Sequence, residues 1–443
     1  MRQVVAERLD GGVDPLSLCE LPGQRSPAVV TVGGWKVAVA DPLSVVTDPK
    51  RLDEVAERAG WREDPAPHLP PFQGGAVGHL SDDISPGYLS LPRNDPRPAC
   101  APVPAIRLGL YDSAVCVSPD GSTTWLVAAT LPGLSRADAS ERLAAMRAQV
   151  AAARAASPAL APAPAAEQVE ARLSMPPERH SAAVARIHEW IAAGDLYQLN
   201  LTLQVIAPWA GRGTDLARAL WAASPGAAHA AYLKLTDGVE AVSVSPETFL
   251  RIEGRSIATR PIKGTRPRAA DPAEDEAAGQ ALVASAKDQA EHVMIVDLER
   301  NDLGRVCEIG SISVAELAAL ERHPTVWHLT STVRGTLRED AGLGEVIAAT
   351  FPSGSVTGTP KRTAVARTTL VEPLRRGIYC GAIGVITRGM VDLSVAIRTA
   401  VVHQGRAFYG TGGGIVADSE PEAELAEAID KARAFLAATG TVL

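Results

Sequence analysis

The stretch SVSPETFLRIEGRSIATRPIKGTRPR, residues 243–268, constrains the fold more than any other. Pro246, Gly254, Pro261 and Gly264 cut it at short intervals, so no long helix can run through it. Val242 and Val244 alternate with Ser243 and Ser245, the pattern of a half-buried strand. Residues 249–252 restart a strand after Pro246, and residues 256–260 form a third that runs into PIKGT. This meander sets a carboxylate, Glu247, and an amine, Lys263, on neighbouring strands. Two arrangements satisfy that pairing: a salt bridge on an exposed sheet, or two groups closing on one small molecule.

The preceding chain is also β-rich. Residues 27–40, PAVVTVGGWKVAVA, give two strands turned at Gly33 and Gly34, and 113–117 with 125–128 give a pair turned at Asp120 and Gly121. Between them, Gly74, Gly75 and Gly78 mark a strand packed closely against other backbone. A helix follows over about residues 136–156, with Leu143, Met146 and Val150 on one face. The Pro/Ala-rich run SPALAPAPAAEQ then marks a boundary. It separates a β-rich N-terminal part, 1–156, from a linker, 157–175, and a second part, 176–443, that holds the candidate functional residues.

The second part opens with a helix over residues 177–193, stopped by Gly194. In the strand GDLYQLNLTLQVIAP that follows, Gln198, Asn200 and Thr202 share one face, turned either to solvent or to a polar cavity. A helix from about residue 273 to 298 carries Asp288 and Glu291 three apart, hence on one face, and the last helix, 420–436, repeats the spacing in Glu424 and Glu427. Asp297, Asn301 and Asp302 read as turn and capping residues ahead of Gly304. Each acidic pair alone is a solvated face. Two such faces meeting across a cleft would give the oxygen-rich surroundings of a hard cation such as Mg²⁺. His328 sits in an apolar strand, where a histidine is either structural or catalytic. Arg398 also lies in an apolar strand and calls for an anionic partner. In YGTGGGIV, three consecutive glycines let backbone amides approach a ligand, or turn a tight corner. FPSGSVTGTPK is no phosphate-binding loop, because Gly354, Gly358 and Lys361 have the wrong spacing.

A net charge of −8 over 443 residues argues against bulk nucleic-acid binding and against a polybasic membrane surface. No apolar run is long enough to span a bilayer, and MRQVVAERLDGG carries no export signal. The cysteines (Cys19, Cys100, Cys116, Cys307, Cys380) are scattered without CxxC spacing. They read as free thiols in a reducing cytoplasm rather than a disulfide frame or zinc site.

Taken together, GDLYQLNLT, SPETFL, PIKGTRPR, AEHVMIVDLERNDLGRV, VWHLTSTVRG, FPSGSVTGTPK, GIYCGAIG, AIRTAVV and YGTGGGIVADSEPEAE resemble the chorismate-utilising enzymes, in order, over about residues 186–438. That family includes anthranilate synthase component I, aminodeoxychorismate synthase component I, isochorismate synthases and salicylate synthases. The N-terminal part resembles it chiefly in FQGGAVGHLS. The resemblance implies an α+β fold of two large antiparallel β-sheets packed face to face with helices outside. It also implies Mg²⁺, with Glu291 and Glu427 as direct ligands and Asp288 and Glu424 in support. Chorismate would be held by Tyr379, Arg398 and the amides near Gly412 and Gly414, with His328 and Ser355 lining the site. Glu247 would be the general acid on the departing 4-hydroxyl, and Lys263 the nucleophile at C2.

Two positions separate activities in the family. Anthranilate synthases usually carry alanine where this chain has Lys263, whereas aminodeoxychorismate synthases carry lysine. Members that add water tend to carry lysine where this chain has Gln198. Both positions point to aminodeoxychorismate synthase component I. Its ammonia would come from a separate glutamine amidotransferase subunit, because no cysteine here sits in a glutaminase-like nucleophile turn. Anthranilate synthase component I and a non-catalytic chorismate-binding subunit are the alternatives. Tryptophan binding by the N-terminal part stays open, since DPLSLCELPG carries no clear signature for it.

Overall fold

The computed structural model describes residues 3–92, 95–134, 138–156, 169–323 and 326–443. Alternation along the strands decides the layers. In the strand Ala28–Val32, Ala28, Val30 and Val32 point into a core shared by two sheets, while Val29 faces outward beneath helices. The first sheet runs Val4–Asp10, Thr123–Ala129, Ser113–Val117, Trp35–Val39, Ala28–Val32, His229–Thr236, Val239–Ser245, Thr399–His403, Arg406–Ile415, Gln198–Pro208, Arg172–Leu173. The second runs Ile262–Pro267, Val326–Thr336, Ser256–Arg260, Thr248–Glu253, Met390–Val395, Ala382–Thr387, Gly75–Leu80, Ile106–Tyr111, Ser44–Val46. Neighbouring strands in both are antiparallel, as at Val242 opposite Ala400 and Val385 opposite Asp392.

Between the sheets, Val30, Ala231 and Val401 of the first meet Val77, Ile383 and Val385 of the second. Each valine and isoleucine among them contributes ~1.5–3 kcal/mol relative to exposure. The outer face of the first sheet is covered by the helices Ala139–Ala155, Gly213–Ala223 and Arg433–Thr439, through Met146, Leu220 and Phe435. That of the second is covered by Leu52–Ala59, Ala286–Gly304 and Leu343–Thr350, through Val55, Val296 and Val346. This is the α+β pair of facing antiparallel sheets, helices outside, that the resemblance implies. Strands from before and after residues 157–175 share both sheets. Of that stretch, 157–168 lies outside the described residues. Val169–Glu170 and Arg172–Leu173 are short strands, pairing with Thr441–Val442 and with the strand Gln198–Pro208.

The chain passes directly between the sheets at Pro246 and Glu247, and again at residues 396–398. The two crossings are bonded together. The Val395 amide donates to the Glu247 carbonyl (3.0 Å), the Val244 amide to the Arg398 carbonyl (3.1 Å), and the Ser245 hydroxyl to the Val395 carbonyl (2.6 Å). Arg398 has φ +51°, a conformation non-glycine residues seldom adopt.

Several local expectations are corrected. Val239–Ser245 is buried on both faces, because the second sheet packs on one side and the helix Gly213–Ala223 on the other. Gln198, Asn200 and Thr202 are likewise buried, not solvent-facing. The helix expected over 273–298 is two helices, Pro272–Ala284 and Ala286–Gly304. Ser285 leaves helical geometry (φ −71°, ψ 106°) and caps the second helix by accepting from the Asp288 amide at 3.2 Å. That second helix continues through Gly304, and Asp302 is a buried partner of Lys361 rather than a cap. The last helix is broken at Ala432 into Pro421–Lys431 and Arg433–Thr439.

Candidate active site

Glu247 and Lys263 do not lie on paired strands. Glu247 occupies a crossing between sheets, and Ile262–Pro267 pairs with Val326–Thr336 rather than with Ser256–Arg260. Both nevertheless face one cavity of about 280 Å³, a size suited to a small metabolite. Asp288 and Glu291 enter it from the helix Ala286–Gly304, and Glu424 and Glu427 from Pro421–Lys431. His328, Ser355, Tyr379, Arg398, Gly412 and Gly414 complete the expected set. Gln198 alone among the expected residues does not line the cavity. It is fully buried one layer behind, and a Cβ added to Gly414 would lie 2.6 Å from its Nε2.

The glycine run is explained by close approach. A Cβ at Gly410 would sit 2.1 Å from the Tyr379 ring, and one at Gly412 would sit 2.2 Å from the Leu201 carbonyl oxygen. Only glycine lets this strand of the first sheet form the cavity floor.

Burial raises the Glu247 carboxyl to about 8, against the pull of the Ser355 hydroxyl and the Lys263 amine, and its Oε1 has no partner among the described residues. Burial lowers the half-buried Lys263 amine; Glu291 opposes this and Lys431 adds to it. A protonated acid thus faces an amine biased toward its neutral form. Burial, then His323 and Arg398, push His328 down to about 3, so its ring is neutral; Nδ1 shares a 2.9 Å hydrogen bond with the Thr265 hydroxyl. Arg398 lies in the crossing rather than in a strand and forms no ion pair with any described residue. The anionic partner expected for it is not supplied by the described chain.

The carboxylates differ in their company. Asp288 pairs with Arg266 at 2.8 Å, Glu427 with Lys431 at 2.8 Å, and Glu424 accepts from the Ser419 hydroxyl at 2.7 Å with Lys287 3.6 Å away. Glu291 has no ion pair among the described residues. Burial raises it, Lys263 and Lys287 oppose that, and the like charges of Glu424 and Asp288 add to it. Among the described residues no trio of His, Cys, Asp or Glu is already gathered at metal-ligating distance. Carboxylates crowded from two facing helices nonetheless suit a hard divalent cation, which takes one or two of them and keeps its waters. The reading of the sequence missed Arg266, Lys287 and Lys431. Lys431 carried a signal, lying four residues after Glu427 on one helical face.

Two facing sheets, with an acid, an amine and paired carboxylates around one small cavity, define an α+β protein built on a polar small-molecule site. Residues 34–437 match the family described as chorismate binding enzyme, and the chain belongs to that family. It is 39% identical to anthranilate synthase component 1 of Streptomyces coelicolor over 84% of this chain and 74% of that one. It is 38% identical to aminodeoxychorismate synthase component 1 of Klebsiella aerogenes, over 90% and 83% respectively. Among solved structures, anthranilate synthase component I from Streptococcus pneumoniae TIGR4 superposes with a TM-score of 0.74 at 25% identity, covering 96% of this chain and 91% of that one. Among the described residues, no helix is long and apolar enough to cross a membrane.

Proposed function

We propose that this chain is the chorismate-aminating component of an aminodeoxychorismate synthase. The observation that carries the reading is Lys263 facing the same small cavity as Glu247. A pure binding site has no use for an amine biased toward its neutral form beside a protonated acid. The neutral Lys263 amine attacks C2 of chorismate, the ring double bond shifts, and the 4-hydroxyl leaves as water with the proton of Glu247. Ammonia then attacks C4, the C2–Nζ bond breaks, and the proton shed by the new amine returns to Glu247. The product is 4-amino-4-deoxychorismate. Arg398 and the amides of Gly412 and Gly414 would take the enolpyruvyl carboxylate. Mg²⁺, held by Glu291 and Glu427 with Asp288 and Glu424 in support, would neutralise and fix the ring carboxylate.

Relatives named component 1 support a second component, and a glutamine amidotransferase subunit would supply the ammonia. The identity to an anthranilate synthase favours a second reading, in which the same cavity releases pyruvate and anthranilate. One assay separates the two. The pure chain is mixed with chorismate, Mg²⁺ and an ammonium salt at mildly alkaline pH, and the product is identified. Aminodeoxychorismate supports the first reading, anthranilate the second, and unchanged chorismate a binding subunit. Glutamine should not replace ammonium; turnover of glutamine by the pure chain would refute the separate subunit.

A further inference from the structure

The cavity floor carries an amide that the mechanism above does not use. The strand Arg406–Ile415 pairs with Thr399–His403 only as far as Tyr409 opposite Ala400, so residues 410–414 turn an unpaired edge to the cavity. Their other edge pairs with Gln198–Pro208, which sets Asn200 opposite Gly414 and Thr202 opposite Gly412. Directly opposed residues project to one face. Gly412 and Gly414 have no side chains to stand in the way, and Asn200 reaches the cavity lining across that strand.

Asn200 is 6% exposed, and its main chain is already spent. Its amide donates to the Thr357 carbonyl at 2.7 Å, and its carbonyl accepts from Arg376 at 2.7 Å. Its side-chain amide bonds to no described residue and, unlike that of Gln198, is not sealed off from the cavity. Two residues back on the same face, Gln198 is fully buried, with Oε1 and Nε2 both unpartnered among the described residues. Thr359, opposite Gln198 in register, adds a buried hydroxyl without a partner. Unpartnered buried polar groups are costly and rare, yet here they gather on one sheet face that ends at the cavity.

We propose that Asn200 receives the ammonia, its amide oxygen accepting an N–H while the nitrogen lone pair points to the substrate ring. The proposal rests on the amination reading above. An attacking ammonia spends its only lone pair on carbon, so it can be held by acceptors alone. Arg398 offers donors only, and a carboxylate would favour ammonium, which has no lone pair to attack with. An amide oxygen accepts and stays neutral at every working pH. The placement fits as well. A Cβ at Gly413 would lie 3.2 Å from Glu424 Oε2, whereas one at Gly414 would point at Gln198, so the helix carboxylates and Asn200 stand on opposite faces of the strand. With the ring carboxylate on the side of Glu424 and Glu427, C4 lies across the ring from it, on the side of Asn200. As the C4–N bond forms and the C2–Nζ bond breaks, the shed proton goes to Glu247 and Asn200 exchanges none.

The test is Asn200→Leu, which keeps much of the shape and removes the amide. Chorismate consumption by the pure chain is followed against ammonium chloride and against chorismate at one fixed, mildly alkaline pH. Half-saturation by ammonium should rise about three- to tenfold, the worth of one hydrogen bond between neutral groups, with KM for chorismate within about twofold. Should leucine not fit, Asn200→Ala is expected to give the same split. An ammonium half-saturation unmoved in both variants would overturn the proposal. So would a chorismate KM that rises in step with it, which would make Asn200 part of the substrate's own wall. The identity of the wild-type product tests the amination at C4 separately. Aminodeoxychorismate with an unmoved ammonium half-saturation would sink this proposal alone. Anthranilate with a raised one would sink amination at C4 and keep Asn200 as the residue that holds ammonia.

Discussion

Tyr379 has buried charge on both sides, and the two clusters are finished differently. On one side, Arg376 donates to Glu372 (2.8 Å), to the Val356 carbonyl (2.9 Å) and to the Asn200 carbonyl (2.7 Å). Glu372 also accepts from the Thr202 amide (3.0 Å) and from Arg97 (3.1 Å), which in turn holds Asp95 at 2.7 Å. That cluster closes around Glu372, with Asp82 at its edge 3.9 Å from Arg376 and its Oδ1 without a hydrogen-bond partner among the described residues. On the cavity side, Glu247 Oε1 lacks a partner, and Lys263, Glu291 and Arg398 form no ion pair with any described residue. Buried polar groups are costly unless satisfied. The closed cluster therefore serves the architecture, tying the strand Gln198–Pro208 to the turn at Val356. The open one is built to be completed from outside.

The contrast is tested first where the effect should be greatest. Lys263→Ala should cut amination by at least ~10³-fold, because removing a covalent nucleophile is among the costliest changes to an active site. Intact-mass spectra should show a chorismate-derived adduct on wild type under ammonium-free conditions and none on the variant. An unchanged rate and product would remove the amine from the mechanism. Glu247→Gln should lower kcat by roughly 10²–10⁴-fold with little change in KM. Both variants should melt no lower than wild type, since Lys263 forms no ion pair with any described residue and Glu247→Gln keeps the shape while its Oε1 loses no partner. A large fall in melting temperature would put these residues with the closed cluster instead.

Glu372→Ala should do the reverse. Stranding Arg376 and Arg97 should cost about 3–5 kcal/mol of stability, read by denaturant unfolding, with activity lost only as the protein unfolds. Little loss of stability would mean that the cluster is not the frame it is taken for here.

The pH profile comes next. Glu247 must hold its proton and Lys263 must lack one, so the pair works with a single proton between them. Losing it should bring kcat down about tenfold per unit above about pH 8, and adding a second on Lys263 should bring it down at lower pH. For stability the sign is negative. Glu247 is raised in the folded state from 4.5 to about 8, so the folded state binds more protons and stability falls as pH rises through that window. Glu247→Gln should make that slope shallower, leaving the part that Asp82 and Asp302 supply, both raised by burial to about 7; a slope identical to wild type would place the titration elsewhere.

What was legible in the sequence came from fixed offsets and short motifs. Asp288 with Glu291, and Glu424 with Glu427, were readable as helix faces because three residues make most of a turn. Glu247 and Lys263 were readable as candidates, but their meeting was not. It depends on a two-residue crossing between sheets, and strand pairing order is not a local property. Burial on both faces of Val239–Ser245 and Gln198–Pro208 was hidden for the same reason: Ser243 and Asn200 are polar, yet each lies between two layers. The break at Ser285 was visible only as a possible cap inside an otherwise helical run. The buried carboxyl of Glu299 left no signal at all, since it sits among the charged residues of LERNDLGR and reads as solvated until the fold buries it.

The smallest expected effect probes the edge of the open cluster. Lys431 lies 2.8 Å from Glu427 and donates to the Gly412 carbonyl at 2.8 Å, so it stands over the carboxylate expected to take Mg²⁺. Partial desolvation at the cavity rim would by itself raise Glu427, but Lys431 outweighs it and holds the carboxylate below its ordinary range. The pair spans one helical turn, and Glu427 is exposed, so its worth to stability is about 0.3–0.5 kcal/mol. Lys431→Met keeps the stem and removes the competing cation. Half-saturation by Mg²⁺ should therefore fall, by about threefold if a Coulombic competitor of roughly 0.6 kcal/mol is lost near the surface, with the melting temperature nearly unchanged. The readout is chorismate consumption against Mg²⁺ concentration. A rise in half-saturation would mean that the amine assists the anions of the complex rather than competing with the metal. Lys431 would then belong with Arg398, as a charge waiting for substrate.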